Sequence, residues 1–256
     1  MSEAMTHAPG TFCWVELGTS DAAAAKKFYT NLFGWDAQDM PAGEWTYTML
    51  KRGGKDVGGL YQFGPEQKMP TNWTSYVAVQ SADDCARQAE SLRGTLVQPP
   101  MDVMDVGRMA VVQDPTGAVF AVWQPKKHPG AGNVGAPGFF CWNELMTRDT
   151  KAARGFYTGL FGWGADEMDM GPMKYTIFKQ GERQIAGMMP ISEEMGPVPP
   201  HWLVYFAVED CDASVSEAGK LGGQVLVPST DIPNIGRFSV LQDPQGGVFA
   251  VIRLSA

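Results

Sequence analysis

The sequence predicts an α+β fold in which four βαβββ units are paired into two tandem domains. The first observation is an internal repeat, because Trp14 recurs as Trp142 and Trp35 recurs as Trp163, an offset of 128 positions in both cases (142 − 14 and 163 − 35). The second is that each half runs as strand, helix and short strands, and then repeats that order. A repeat this long is typical of a duplicated domain and is too long for a solenoid unit.

The repeat continues through each half and sets the domain boundaries. The later pairs lie 129 positions apart (204 − 75 and 236 − 107). They are Trp73–Tyr76 with Trp202–Tyr205, Gly107-Arg108 with Gly236-Arg237, and Asp114–Gly117 with Asp243–Gly246. We expect a first domain over residues 1–125, a glycine- and proline-rich linker over 126–138 and a second domain over 139–256, each near the usual domain size.

Composition excludes several classes of protein. A hydrophobic fraction of 44% with 11% aromatic residues is enough for two packed cores. The net charge of −8 argues against a nucleic-acid partner, because binding phosphates requires clustered Lys and Arg. The chain has no apolar run of the roughly 18 residues that cross a membrane, and no signal-peptide pattern, so we expect a cytoplasmic protein. The four Cys form no C-x-x-C pair, so buried reduced thiols are expected.

The first unit opens with a strand over residues 12–18. The period-two rule places Trp14 and Glu16 on the same face of that strand. Asp21 then offers an N-cap oxygen, apolar residues follow at helical spacing, and Gly34 ends the helix.

The remaining elements follow from local patterns. A Gly-Gly pair at 53–54 predicts a hairpin, and the segment Asp114-Pro115-Thr116-Gly117 suits a type I turn. The second half repeats the pattern. The predicted elements of the first half are strands at 47–51, 57–63, 73–79, 95–98, 108–113 and 118–123, with a second helix at 82–92.

The predicted order βαβββ, repeated four times, and several residues within it together resemble a known family. The chain resembles the vicinal oxygen chelate superfamily of glyoxalase I, bleomycin- and fosfomycin-resistance proteins and extradiol dioxygenases, and within it a two-domain glyoxalase-like branch with W-x-E-L and H-W-x-x-Y-F segments. The resemblance implies a concave inner face as the ligand site. It rests on Asp21, Phe28-Tyr29, Leu32 and Gly34, on Asp149, Phe156-Tyr157, Leu160 and Gly162, and on the two Asp-Pro-x-Gly hairpins.

The resemblance also implies where a metal would bind. The family's enzymes hold a divalent metal through a His or Gln in the first strand of a unit and a Glu in the last strand. Only one of the matching residues here carries a donor atom, a weak one, so we expect no cofactor. A divalent metal at a non-standard site stays an alternative. The matching residues are Trp14, Thr74, Ala121, Trp142, Leu203 and Ala250.

Aromatic residues take the place of the metal ligands. By strand parity, Trp14, Tyr76, Trp123, Trp142 and Tyr205 face the predicted clefts. An aromatic wall suits flat or apolar ligands. The alternative is that these rings fill the clefts as core.

The two strand glutamates, Glu16 and Glu144, share the inner face with the tryptophans. A carboxylate on an apolar face must be paired or hydrogen-bonded, and Arg108 and Arg237 are the candidate partners. One interpretation is a general base or a ligand-binding carboxylate, with the arginines also contacting ligand. The other is a structural Glu–Arg pair.

His201 makes the second cleft chemically different from the first. It begins a strand and has Asn72 as its repeat partner. One hypothesis is that His201 and Glu144 form a proton-transfer or single-metal pair. The alternative is that His201 is an ordinary capping or surface histidine. His7 and His128 lie in the tail and the linker and receive no role.

Three functions follow. The leading one is a protein that binds a small apolar or aromatic molecule without the usual metal. The second is a lyase, isomerase or dioxygenase of glyoxalase type with catalytic residues Glu144, His201 and Glu16. The third is a non-catalytic interaction protein with filled clefts. We expect a small-molecule partner and a monomer or homodimer.

Overall fold

The computed structural model describes residues 7–43, 45–64, 66–67, 69–171 and 173–255. Within them the first half of the chain forms eight strands and two helices. These are β1 (Phe12–Thr19), α1 (Ala22–Phe33), β2 (Asp36–Ala42), β3 (Trp45–Arg52), β4 (Lys55–Gln62), β5 (Asn72–Ala78), α2 (Ala82–Ser91), β6 (Thr95–Val103), β7 (Gly107–Gln113) and β8 (Val119–Pro125).

The second half repeats this series, with one short 3-10 helix added before its fifth strand. The elements are β9 (Phe140–Thr147), α3 (Thr150–Phe161), β10 (Gly164–Asp169), β11 (Lys174–Gln180), β12 (Arg183–Pro190), the 3-10 helix (Glu193–Met195), β13 (His201–Ala207), α4 (Cys211–Lys220), β14 (Gln224–Ile232), β15 (Gly236–Gln242) and β16 (Val248–Leu254).

The described strands form two eight-stranded sheets with the same topology. Their orders are β2-β3-β4-β1-β5-β8-β7-β6 and β10-β11-β12-β9-β13-β16-β15-β14. In each unit the first strand pairs in parallel with the last, as β1 does with β4, while the hairpins are antiparallel. The predicted α+β fold of four βαβββ units is confirmed. No helix among the described residues is long and apolar enough to span a bilayer.

Two edge strands differ from the prediction. β2 was not predicted as a separate element, because its sequence DAQDMPA is polar and contains a proline. β6 extends to Val103, whereas residues 95–98 were predicted, because Pro99-Pro100 indicates a loop. Both strands lie at the ends of the first sheet. Proline is tolerated there because one side of an edge strand needs no ladder hydrogen bonds.

The helix ends follow the capping pattern that the sequence predicts. Asp21 Oδ1 accepts a hydrogen bond from the Ala24 N–H at 3.0 Å. Gly34 then ends α1 in the left-handed conformation with φ 65°. Asp149 and Gly162 cap α3 in the same way. Each cap satisfies backbone groups that a helix end leaves unpaired.

By the density of their contacts, the residues divide into two compact units. Unit 1 comprises the described residues of Met1–Trp14, Ser75–Gly130 and Trp142–Leu203. Unit 2 comprises the described residues of Val15–Thr74, Ala131–Cys141 and Val204–Ala256. Each unit takes segments from both halves of the sequence. The domain division at residues 1–125 and 139–256 stays a prediction.

The core of unit 1 holds a buried polar chain centred on Tyr157. Its hydroxyl donates to Asp114 Oδ2 at 2.9 Å and accepts from Trp202 Nε1 at 2.8 Å. Asp114 also begins the β7–β8 turn, where its Oδ1 accepts from the Thr116 and Gly117 N–H groups at 2.7 and 2.9 Å. Helix α3 is thereby bonded to that turn.

Unit 2 contains the repeat-equivalent chain. The Tyr29 hydroxyl donates to Asp243 Oδ2 at 2.8 Å and accepts from Trp73 Nε1 at 2.9 Å. Burial raises the pKa of Asp243 above its ordinary value, although the hydrogen bonds from Tyr29 and the turn N–H groups lower it in part. The phenol of Tyr29 stays protonated, because burial and the nearby carboxylate raise its pKa.

Candidate functional site

The candidate site lies where Trp142 and Glu144 on β9 meet Tyr175 on β11. The Tyr175 hydroxyl donates to Glu144 Oε2 at 2.8 Å. It accepts from Trp142 Nε1 at 3.2 Å. Glu144 is 7% exposed, and Trp142 is half-buried. These residues form a directed chain of hydrogen bonds from the indole, through the phenol, to the carboxylate.

A glycine on the intervening strand makes this chain of bonds feasible. β12 lies between β11 and β9, and Gly187 pairs in register with Glu144. A Cβ atom at Gly187 would lie 1.8 Å from Tyr175 Oη and 3.1 Å from Trp142 Nε1. Only glycine therefore leaves room for the phenol to cross the strand and reach the carboxylate.

The first half holds a copy of the same arrangement in unit 2. The Tyr47 hydroxyl donates to Glu16 Oε2 at 2.8 Å. Gly59 pairs in register with Glu16, and a Cβ there would lie 1.7 Å from Tyr47 Oη. Glu16 is half-buried, and so is more exposed than its counterpart in the second half.

Sequence reasoning missed both tyrosines and both glycines. Tyr47 recurs as Tyr175 and Gly59 as Gly187, each at the offset of 128 that relates the glutamates (175 − 47 and 187 − 59). The repeat is therefore a signal that could have identified them. The order of the strands in the sheet decides which strand lies between each tyrosine and its glutamate, and the sequence pattern does not show that order.

The electrostatics assign the donor and the acceptor. Burial first, and then the charge of Glu144, raise the pKa of Tyr175 above its ordinary value. The phenol therefore stays protonated near neutral pH and donates to the carboxylate. In the first half, burial and the charge of Glu16 raise the pKa of Tyr61 to about 12.

Four of the five aromatic residues predicted to face the clefts are buried side chains. Trp14, Tyr76 and Trp123 are buried in unit 1, and Tyr205 is buried in unit 2. The rings of Tyr76 and Trp123 meet edge to face with centroids 6.4 Å apart. Tyr205 contacts Phe238 with centroids 6.2 Å apart. A ligand-binding role for these rings stays a prediction.

His128 packs against the rings of Trp14 and Trp123, although no sequence pattern indicated a role for it. Its ring meets Trp14 edge to face with centroids 4.7 Å apart. Its backbone carbonyl accepts from Trp123 Nε1 at 2.9 Å. His128 lies in the predicted linker, and the repeat offers no signal for it.

The expected glutamate–arginine pairs are wrong. Arg108 binds Asp83 through two hydrogen bonds of 2.7 and 2.9 Å. Arg237 binds Asp212 at 2.9 Å and Asp231 at 3.1 Å. Asp83 and Asp212 lie in the first turn of the second helix of their own half, and Asp231 lies on β14. The strand glutamates accept hydrogen bonds from tyrosine hydroxyls. The polar–apolar pattern of the strands did not indicate these donors. Ligand contact by Arg108 and Arg237 stays a prediction.

His201 lies at the start of β13. Its Nδ1 is 2.9 Å from the Pro199 carbonyl oxygen. Burial lowers the pKa of the imidazole, which favours the neutral ring. Cooperation between His201 and Glu144 stays a prediction.

All four cysteines are free thiols, as predicted. Cys13, Cys85 and Cys211 are buried, and Cys141 is half-buried. Burial raises the pKa of Cys85 and of Cys141 to about 12. A thiol that is not ionised is a poor nucleophile and a poor metal ligand.

The residues at the family's metal positions do not fit a divalent cation. Trp14 and Trp142 offer indoles, and Ala121 and Ala250 offer no donor atom. Among the described residues, no group of three or more His, Cys, Asp or Glu side chains is placed to hold a metal ion. A first-row metal needs several converging N, O or S donors, and these positions do not supply them.

Comparison with known proteins gives consistent matches over almost the whole chain. The family model described as Glyoxalase/Bleomycin resistance protein/Dioxygenase superfamily matches residues 11–122 and 141–251. A putative glyoxylase of Mycobacterium tuberculosis, CFP32, is 40% identical over 249 residues, which cover 95% of this chain and 95% of that protein. The anthracycline biosynthesis protein DnrV of Streptomyces peucetius is 39% identical over 263 residues, with coverage of 96% and 94%.

The fold is also similar to that of a solved metalloprotein. The Mn(II)-bound glyoxalase from Novosphingobium aromaticivorans superposes with a TM-score of 0.68 and 17% identity, covering 96% of this chain and 82% of that one. At this identity the similarity describes the fold alone.

Proposed function

Because the chain belongs to the Glyoxalase/Bleomycin resistance protein/Dioxygenase superfamily, we propose that it binds a small aromatic molecule beside Trp142 and Glu144, without the family's usual metal. The indole supplies an apolar surface and the carboxylate supplies a hydrogen-bond acceptor. Small-molecule sites commonly combine apolar walls with a few placed polar groups.

The observation that carries the proposal is the buried carboxylate of Glu144. Removing a charged group from water costs free energy unless it is hydrogen-bonded. Here the chain provides Tyr175 as a donor and a glycine as the opening for it. The same three residue types recur at equivalent positions in the first half. Because burying a carboxylate costs free energy, the presence of this glutamate–tyrosine–glycine arrangement in both halves indicates a functional role in addition to packing.

The relatives support the choice of ligand class. One is named for anthracycline biosynthesis, and anthracyclines are fused-ring aromatic compounds. We infer a small-molecule partner for this chain rather than nucleic acid, because its net charge is −8. A cytoplasmic location and a monomeric or homodimeric state are part of the same proposal.

A fluorescence titration tests the proposal. Naphthol, a fused-ring probe, should quench the tryptophan emission of the wild-type protein in a saturable manner. Trp142→Ala should weaken the binding about 3- to 10-fold, since an aromatic pair contributes roughly 0.5–1.5 kcal/mol. Trp45→Ala is the control, because Trp45 is 53% exposed on β3. Absence of saturable binding, or equal weakening by both substitutions, would contradict the proposal.

A further inference from the structure

A groove in unit 2 carries an exposed indole to which the proposed function gives no role. The groove has a volume of about 440 Å³ and lies between α1 and the antiparallel strands β3 and β4. Trp45 lines it and is 53% exposed, while the other aromatic side chains of the described residues are buried or half-buried. We propose that this groove binds a carbohydrate, with a pyranose ring stacked on Trp45 and its hydroxyl groups bonded to the polar lining.

A glycine lets the indole lie against the backbone as one wall of the groove. A Cβ atom at Gly64 would lie 2.7 Å from Trp45 Cη2, so an added side chain there would displace the ring. The Gly64 N–H donates to Gln67 Oε1 at 2.8 Å, and the Gln67 N–H donates to the Gly64 carbonyl oxygen at 2.9 Å. These bonds fix the turn beside the indole. A ligand stacked on the exposed ring would remove apolar surface from water, which is favourable.

The polar lining offers hydrogen-bond donors and acceptors together. Gln62 Oε1 accepts from the Ala22 N–H at 3.1 Å, which fixes the orientation of the amide and leaves its NH2 group as the donor end. Thr46 is an exposed residue of the same lining, and its hydroxyl group can both donate and accept. A ligand that carries several hydroxyl groups matches such a lining.

The charges at the groove cancel each other. The Lys26 ammonium group, which lines the groove, donates to both carboxylate oxygens of Asp39 at 2.7 and 2.8 Å. Asp39 also accepts from the Thr48 hydroxyl at 2.7 Å. An ion or a charged ligand gains little from this pair, because attraction to one member is offset by repulsion from the other. The groove therefore favours a neutral ligand.

These features select a sugar among neutral ligands. One face of a pyranose ring carries C–H groups that stack on an indole, and its rim carries hydroxyl groups that both donate and accept. Naphthol, by comparison, has a single hydroxyl group to offer to the polar lining. A proline-rich peptide requires an aromatic-lined groove. The second aromatic residue of this groove, Phe63, is only 7% exposed, so Trp45 provides the single open aromatic surface.

The second half supplies the matched control, because it lacks the indole. At the offset of 128 positions, Trp45 corresponds to Met173 and Gly64 corresponds to Ser192 (173 − 45 and 192 − 64). Neither Met173 nor Ser192 provides a flat aromatic surface for a sugar ring. Met173→Ala therefore removes a large side chain at the equivalent position without removing a stacking surface.

A ligand-observed NMR titration with methyl α-glucoside, methyl α-mannoside and maltotriose tests the site. We expect at least one of these saccharides to bind the wild-type protein saturably. Trp45→Ala should weaken that binding about 3- to 10-fold through the loss of stacking, whereas Trp45→Phe should retain most of it. Gly64→Ala should weaken it as well, because the indole is displaced. Met173→Ala should bind with the wild-type affinity.

The outcomes decide the proposal without reference to the aromatic ligand. If none of the three saccharides binds at concentrations up to tens of millimolar, the carbohydrate site is wrong. Equal affinities of Trp45→Ala, Met173→Ala and the wild type would also contradict it. Saturable binding of a proline-rich peptide in place of the saccharides would assign the groove to a peptide instead. Should Gly64→Ala not fold, the two Trp45 variants decide the question. Failure of naphthol binding would affect the proposed function alone.

Discussion

The two strand glutamates show how much the environment of a single residue depends on its hydrogen-bond partner. Period-two alternation placed Glu16 and Glu144 on the same strand faces as the tryptophans, and both accept hydrogen bonds from tyrosines two strands away. The arginines expected as partners bind aspartates instead. A strand pattern fixes which face a side chain occupies, whereas its partner depends on the neighbouring strands.

At this scale we predict the effect of removing the tyrosine hydroxyls. Tyr175→Phe should lower the free energy of unfolding by about 1–3 kcal/mol, because a buried carboxylate loses a donor. Tyr47→Phe should cost less, because Glu16 is more exposed and water can replace the donor. Urea denaturation at neutral pH measures both. Equal losses would show that burial of the glutamate does not set the cost.

Asp243 gives a pH-dependent prediction. Its folded-state pKa is raised above the ordinary value of 3.8, so the folded protein holds this proton more tightly than the unfolded chain. The contribution of Asp243 to stability is therefore complete below pH 3.8 and is lost as the pH rises through the raised folded-state pKa. The difference in unfolding free energy between the wild type and Asp243→Asn should decrease over that range.

Asp39 provides a control of opposite sign. Its hydrogen bonds from Lys26 and Thr48 hold the pKa of that carboxyl below its ordinary value. The stability that it contributes is present above the ordinary pKa and is lost as the pH falls through the lowered folded-state pKa. The difference between the wild type and Asp39→Asn should therefore increase with pH. A flat difference for Asp243→Asn across the acidic range would contradict the prediction.

Among the elements, the helices were predictable and the edge strands were not. Asp and Gly at the two ends of α1 and α3 are local signals, because capping involves groups within one turn of the chain. β2 and the second half of β6 are strands although their own residues, which include prolines, do not predict a strand. They are strands because neighbouring hairpin partners supply hydrogen bonds, and this is a tertiary contribution.

Two glycine substitutions test the helix argument in opposite directions. Gly34→Ala should destabilise the protein by roughly 1–2 kcal/mol, because Gly34 has φ 65° and an L-residue is strained there. Gly155→Ala, inside α3, should stabilise it by about 0.5–1 kcal/mol, because a helical alanine loses less backbone entropy. A Cβ would meet nothing within 4 Å at either position. Thermal or urea unfolding measures both, and a destabilised Gly155→Ala would contradict the prediction.

At the scale of the whole molecule, the two halves are copies that differ at buried positions. In unit 1 the Ser75 hydroxyl donates to Asn143 Oδ1 at 2.5 Å, and both residues are buried. The repeat-equivalent positions in unit 2 are Val204 and Val15, which are also buried. One unit thus has a polar pair where the other has two apolar residues.

A double-mutant cycle tests the Ser75–Asn143 pair. Asn143→Val alone should lower the free energy of unfolding by about 1–3 kcal/mol, because it leaves a buried hydroxyl without its acceptor. Adding Ser75→Val should recover most of that loss, since both positions then match the apolar pair of unit 2. Denaturant unfolding of the four proteins gives the coupling energy. Additive losses would show that the bond contributes nothing of its own.

The sequence by itself determined the family, the number of βαβββ units, the helix ends and the faces of the strands. The matches to the family and to a relative 40% identical confirm the resemblance carried by the repeated motifs. These features follow from local chemistry and from internal repetition, both of which are visible along a linear chain. The same repetition pointed to Trp142 and Glu144 as candidate site residues, whose roles remain proposals.

Only the tertiary structure decided the partners. It brought Tyr175 across β12 to Glu144, paired Arg108 and Arg237 with aspartates, and packed His128 against Trp14. It also showed that the residues divide into the compact units 1 and 2, and that each of them takes segments from both halves of the sequence. These contacts join residues far apart in sequence, and they depend on strand order and register. A sequence pattern fixes the face of a strand, but not which strand lies beside it.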